Sequence, residues 1–160
     1  MDYENHLIKE NLLEQVEEHF PFVKRPPANE LPASRVDYQT KKIIGMSVSR
    51  YVDSELPFDG VMMLHNKFSI ISEKTVEWIF PSLLRMILKG TDTSNTFYWY
   101  LSYYFENIDL SGVDSAYRFS WLSSDQAIVL QNVFEYISKE YQIPTHEAQK
   151  ALRTLRQVAA

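Results

Sequence analysis

Apolar residues recur every three or four positions along several stretches of the chain, which is the period of an α-helix. The clearest stretch begins at Ser72, whose hydroxyl suits a helix N-cap, and ends at Gly90. Pro81 lies inside it and predicts a kink between Glu77 and Phe80. The apolar stripe of this helix predicts deep burial and comprises Val76, Ile79, Phe80, Leu83, Leu84 and Ile87.

The N-terminal segment predicts a second, very different amphipathic helix from about Tyr3 to Phe20. Residues 1–20 contain six acidic residues and one lysine, whereas residues 21–160 contain 15 acidic and 15 basic residues, so the whole net charge of −5 lies in the first twenty residues. Its polar side is more often ordinary solvated surface, and the alternative is a docking face for a basic protein. The candidate partner-binding residues on it are Glu10, Glu14, Glu17 and Glu18.

One domain is predicted over residues 1–160, with the acidic helix at 1–20, a proline-rich connector at 21–36 and a helical core at 37–160. The pattern of residues 37–52 fits both helical spacing and strand alternation, and we favour the helix. A short helix is predicted to follow, from Phe58 to about Asn66.

The second half of the chain predicts three more helices. The run FYWYLSYYF within residues 95–106 is apolar on all sides and predicts a central helix. Tyr98 and Tyr104 of this run are candidate partner-binding residues if exposed, although we favour core packing for most of these rings. A capping box at Ser123 and Gln126 starts the next helix, and Pro144 introduces the last one. Together these patterns predict an all-α fold of about six helices around a central aromatic-rich helix.

Composition narrows the chemistry. The chain has no cysteine, its four histidines lack metal-ligand spacing, and its four glycines are isolated. No catalytic, cofactor-binding or metal-binding residues are therefore predicted, and we expect a non-enzymatic protein. The balance of charge outside the first helix predicts no nucleic-acid partner. Because no signal peptide or membrane span is evident, we expect a cytoplasmic protein with no membrane partner.

Residues 68–141 resemble a family of small bacterial proteins of unknown function. The runs FSIISEKTVEWIFPSLLRMIL and RFSWLSSDQAIVLQNVFEYI carry this resemblance, and they flank the aromatic helix. The matching motifs are a helix start at residues 71–74, an aromatic followed by proline within 78–84, an LSxxQ-like start at 122–126 and an aromatic-rich end at 134–137. The resemblance covers a little under half of the chain. It implies a fold, and it implies a role as an immunity protein encoded near interbacterial toxins, including those of type VI secretion.

The sequence therefore predicts a protein-binding module, most specifically an immunity protein whose partner is a cognate toxin. A helical adaptor or a homodimeric assembly protein is the alternative, with the aromatic helix as its contact. An enzyme of unrecognised type is the third hypothesis, and it requires a pocket with paired titratable groups.

Overall fold

The computed structural model describes residues 9–91, 96–108 and 117–159, with side chains described as far as residue 155. Within these ranges the fold is all-α, which confirms the predicted class, and no strand is present apart from an isolated bridge between Pro32 and Ile71. The predicted helix starts near Tyr3 and Asn95 lie outside the described residues. The described helices are α1 (Lys9–His19), α2 (Tyr38–Val48), α3 (Phe58–Leu64), α4 (Glu73–Leu88), α5 (Thr96–Glu106), α6 (Ser124–Tyr141) and α7 (His146–Ala159).

Helix α4 lies in the middle of the core. The Oγ of Ser72 accepts a hydrogen bond from the Thr75 backbone N–H at 3.2 Å, as the sequence predicts for an N-cap. The helix continues through Pro81, and Gly90 follows its end with a φ of 71°, which favours glycine. Eleven of its sixteen residues are buried, because it packs against α1, α3 and α5.

Helix α6 begins with the predicted capping box. Ser123 Oγ accepts from the Gln126 N–H at 3.1 Å, and Gln126 Oε1 accepts from the Ser123 N–H at 2.9 Å. The Gln126 amide also donates to the carbonyl of His19 at 2.9 Å. The start of α6 is thereby fixed to the end of α1, and α6 packs against both α1 and α7.

The connector over residues 21–36 is irregular apart from a 3₁₀ turn at Ala28–Glu30. Hydrogen bonds fix it to the start of α4. Ser72 Oγ donates to the Glu30 carbonyl at 2.6 Å, and Thr75 Oγ1 donates to the Leu31 carbonyl at 2.8 Å. Since Leu31 is also fully buried, this stretch is part of the packed core.

Residues 38–48 form a helix, which settles the ambiguity of their pattern. Asp37 Oδ1 caps α2 by accepting from the Thr40 N–H at 2.7 Å. Ile44 and Val48 lie one turn apart and are the two buried residues of α2. Within α3, Gly60 lies close to the preceding segment, where an added Cβ would lie 2.8 Å from Leu56 Cδ2. A larger residue at this position would have to displace the buried Leu56 side chain.

Candidate protein-binding surfaces

The acidic face of α1, formed by Glu10, Glu14, Glu17 and Glu18, is exposed. It is held outward because Leu12 and Val16, on the other side of the helix, are completely buried where α1 meets α4 and α6. Among the described ion pairs, Glu18 lies 3.9 Å from the His19 imidazole, and the other three carboxylates take part in none. The structure therefore leaves all four predicted carboxylates facing solvent, and their role in partner binding stays a prediction.

Tyr98 and Tyr104, the predicted partner contacts of α5, are both buried, and their role in partner binding stays a prediction. Tyr104 stacks on Phe68 with ring centroids 4.3 Å apart, and its hydroxyl donates to the carbonyl of His65. Burial raises the pKa of the Tyr104 hydroxyl well above its ordinary value. Tyr98 stacks on Tyr141 at 4.5 Å. Both rings are part of the core, and the hydrogen bond of the Tyr104 hydroxyl offsets the cost of burying it.

The exposed rings of α5 are instead Trp99 and Tyr103, which sequence patterning did not single out. They lie four residues apart, with centroids 5.5 Å apart and planes inclined by 7°. Trp99 is 54% exposed and Tyr103 is 37% exposed. A run that is apolar on every side hides this difference, because the pattern gives no contrast between the core side and the solvent side.

A groove of about 370 Å³ runs beside these two rings. One side of α5 forms one wall, and the turn between α6 and α7 forms the other. Glu106 is the charged residue of the groove, and its Oε1 accepts a hydrogen bond from Ser102 Oγ at 3.3 Å. We call it the aromatic groove, and its lining residues are Tyr98, Trp99, Ser102, Tyr103, Glu106, Ile143 and Pro144.

Helix α2 presents a second exposed apolar surface, which the sequence pattern also did not indicate. Its outer face carries Tyr38, Ile43 and Met46, and Val52 follows just beyond the helix. These four side chains are between 61% and 76% exposed, more than any other large hydrophobic residue in the described ranges. Solvent-exposed cations surround them: Lys41, Lys42 and Arg50.

A larger crevice, of about 420 Å³, separates the connector from the start of α4, and its charges are largely paired. Lys74 Nζ lies 2.9 Å from the Glu30 carboxylate. Arg118 Nε lies 3.2 Å from the carboxylate of Glu73, which also accepts from the backbone N–H of Ser120 at 3.1 Å. These ion pairs join the connector and the segment before α6 to the start of α4. These charged residues of the crevice therefore have a structural role.

Titratable groups in the described part of the chain form no group of three that suits a metal ion. His65 is buried, as expected of a core histidine, with Nδ1 at 3.1 Å from the Val61 carbonyl. His146 and Glu147 are exposed in the first turn of α7. None of the described helices is long and apolar enough to cross a membrane.

Comparisons of this chain with protein-family models, with curated proteins and with solved structures find no match. The family resemblance of residues 68–141 therefore stays a prediction. What the protein binds has to be argued from its own surfaces.

Proposed function

We propose that this chain is a non-enzymatic protein-binding module for a basic partner, acting in the cytoplasm as an immunity protein that neutralises a cognate bacterial toxin. The observation that carries the proposal is the aromatic groove, where the exposed Trp99 and Tyr103 lie beside the carboxylate of Glu106. Trp and Tyr are enriched among the residues that dominate binding energy at protein interfaces. The carboxylate favours a partner that brings a positive charge.

The acidic face of α1 supports the same choice of partner. Its four exposed carboxylates accompany one lysine, Lys9, along the helix. Such a face attracts a basic protein over a distance set by the ionic strength, about 8 Å in physiological salt. It acts mainly on the rate of association, while the buried rings of the interface set the rate of dissociation.

The narrower proposal, neutralisation of a toxin, draws on the resemblance of residues 68–141 to small bacterial proteins encoded near toxins. A toxin with a basic surface would match both acidic features of this chain. The alternative is a basic partner protein that binds in the aromatic groove but is not a toxin. The experiment below distinguishes a toxin from such a protein.

The test is co-expression of the chain with the product of each adjacent gene, scored by co-purification and by growth. We expect a complex and protection from toxicity. A Trp99→Ala/Tyr103→Ala double variant should bind at least about tenfold more weakly and protect less, since two candidate anchors are truncated. Ile128→Ala, an exposed apolar residue on α6, is the matched control and should leave both unchanged. No complex and no protection with either neighbour would end the toxin proposal.

A second candidate function, self-association or adaptor activity, is favoured by the outer face of α2. That face combines the most exposed apolar side chains of the described residues with Lys41, Lys42 and Arg50. Its cations complement the acidic face of α1, so a second copy of the chain would offer matching charges. Burial of Tyr38, Ile43 and Met46 would supply roughly 1.5–3 kcal/mol per fully buried side chain.

Charge reversal tests this candidate by sedimentation velocity. A Glu14→Lys/Glu18→Lys variant and a Lys41→Glu/Lys42→Glu variant should each be monomeric, because α1 and α2 then carry like charges. Mixing the two variants should restore a dimer. The altered α1 of one variant then faces the altered α2 of the other, and their two unaltered helices also carry opposite charges. A native chain that is monomeric at all accessible concentrations in low salt would exclude self-association.

A further inference from the structure

We propose that the aromatic groove binds a guanidinium group, presented as an arginine side chain of the partner. This inference rests on the proposed function, because it names the chemical group that a basic partner inserts. It requires that the groove offer a flat aromatic surface, an available carboxylate and enough room.

The aromatic surface is the exposed indole ring of Trp99, which stacks against Tyr103 with planes that differ by 7° and centroids 5.5 Å apart. Tyr100 meets Trp99 edge-on, with centroids 4.9 Å apart and planes at 82°. The negative potential above an indole or phenol ring attracts a cation placed over it, and Trp is the strongest of the natural side chains in this respect. The exposure of Trp99 leaves its ring accessible from solvent.

The carboxylate is supplied by Glu106, an exposed residue of the groove lining. One of its oxygens accepts the 3.3 Å hydrogen bond from Ser102 Oγ, which orients the carboxylate along the helix. None of the ion pairs among the described residues involves Glu106. Among the described residues, the lining contains no lysine, arginine or histidine that would compensate the negative charge of Glu106.

The combination favours guanidinium over ammonium. A guanidinium is planar and weakly hydrated, so it stacks on an aromatic ring while its edge donates to a carboxylate. An ammonium is compact and strongly hydrated, and it cannot use the flat surface in this way. A groove of about 370 Å³ has room for an arginine side chain and part of its backbone.

The chain contains its own example of this chemistry at another place. The guanidinium of Arg85 lies 4.2 Å from the ring centroid of Phe22 and donates to the carbonyls of Phe20 and Pro81, each at 2.9 Å. There the acceptors are backbone carbonyls. In the aromatic groove the acceptor is a carboxylate, and the indole and phenol rings are richer in electron density than the Phe22 ring. Because the groove is exposed, a cation from another molecule can make the same kind of contact there.

The experiment uses the full chain and three short blocked peptides, Gly-Arg-Gly, Gly-Lys-Gly and Gly-citrulline-Gly. Citrulline has the shape of arginine without its charge. Binding is followed by the ¹H–¹⁵N signal of the Trp99 indole, which is identified among the signals of the three tryptophans by its loss in Trp99→Phe. We expect saturable binding of the arginine peptide in the millimolar range, because the groove is open to solvent, and at least about tenfold weaker binding of the citrulline peptide.

Variants test whether the arginine peptide binds in the aromatic groove. Glu106→Gln keeps the shape of the side chain and should weaken arginine binding severalfold, and the matched control Glu55→Gln, an exposed residue between α2 and α3, should not. Equal shifts with arginine and citrulline, stronger binding of lysine than arginine, or unchanged binding by Glu106→Gln would each overturn the assignment. Tighter binding of free agmatine than of the peptide would point to a small-molecule ligand and would also overturn it.

The two proposals fail differently. If the aromatic double variant loses the partner but the arginine peptide does not bind, the protein-binding function stands and the guanidinium assignment is wrong. If the peptide binds in the groove but no partner complex depends on it, the guanidinium site stands and the proposed function is wrong.

Discussion

Helices α4 and α2 both carry several large apolar residues, yet they differ widely in how much of that apolar surface is buried. Eleven of the sixteen residues of α4 are buried, and α4 packs against three other helices. Only two of the eleven residues of α2 are buried, Ile44 and Val48, and α2 belongs to none of the extensively packed helix pairs. Apolar residues on one broad side define a core helix, whereas apolar residues on two separate sides leave one side for water or for another molecule.

The largest expected effect comes from truncating matched residues in these two helices. Leu84→Ala in α4 should lower the free energy of unfolding by about 2–5 kcal/mol, because it leaves a cavity at a fully buried site. Ile43→Ala on the outer face of α2 should change it by less than about 0.5 kcal/mol. Urea denaturation measures both. If Ile43→Ala were as costly as Leu84→Ala, the outer face of α2 would have to be packed within the chain or in an oligomer.

A pair of tyrosines extends the comparison to hydrogen bonding. Tyr104→Phe removes the hydroxyl that donates to the His65 carbonyl and should cost about 1–3 kcal/mol, because a buried acceptor loses its donor. Tyr51, just beyond α2, has a buried hydroxyl with no hydrogen-bond partner among the described residues. Tyr51→Phe should therefore be neutral or slightly stabilising. Thermal unfolding of the two variants checks the order, and a larger loss at Tyr51 would contradict it.

Removing a helix cap should lower the free energy of unfolding by a smaller amount. Ser123→Ala removes the acceptor for the Gln126 N–H and breaks the capping box of α6, which should cost about 1 kcal/mol. Ser124→Ala, at the exposed first position of the same helix, is the control and should lie within about 0.5 kcal/mol of the native chain. Equal losses in chemical denaturation would mean that the capping hydrogen bonds do not stabilise α6.

The smallest effect concerns the pH dependence of α2. The hydrogen bond from the Thr40 N–H lowers the pKa of the Asp37 carboxyl below its ordinary value of 3.8. A lowered folded-state pKa means that the contribution of Asp37 is complete above the ordinary value and is lost as the pH falls through the folded pKa. NMR titration of the α2 amides should show this loss below about pH 4. Asp37→Asn keeps a capping oxygen and should remove the titration; an unchanged acid transition in this variant would contradict the assignment.

Local chemistry was sufficient to predict much of the fold. The N-cap at Ser72, the capping box at Ser123 and the stop at Gly90 use hydrogen bonds and backbone angles that depend on a few neighbouring residues. The same holds for α1, where Leu12 and Val16 are spaced one turn apart and the carboxylates are on the other side. These features needed no knowledge of distant parts of the chain.

The candidate site was less predictable. The aromatic helix was correctly expected to line a core. Its candidate contacts Tyr98 and Tyr104 are buried, and the exposed Trp99 and Tyr103 were not predicted from the sequence. The assignment of sides depends on where α4 and α7 pack against α5. The groove further needs Ile143, which is far from α5 in sequence and next to it in space.

The sequence by itself determined that the chain is helical, where most helices begin and end, and that its net negative charge lies at the N-terminus. These properties follow from periodicity, capping and composition, which act over a few residues. The tertiary structure alone decided which of two apolar sides of α2 is buried and which rings of α5 reach solvent. Both sides of such a helix are apolar enough to be buried. Which side is buried depends on the helices that pack against it, and these are distant in sequence.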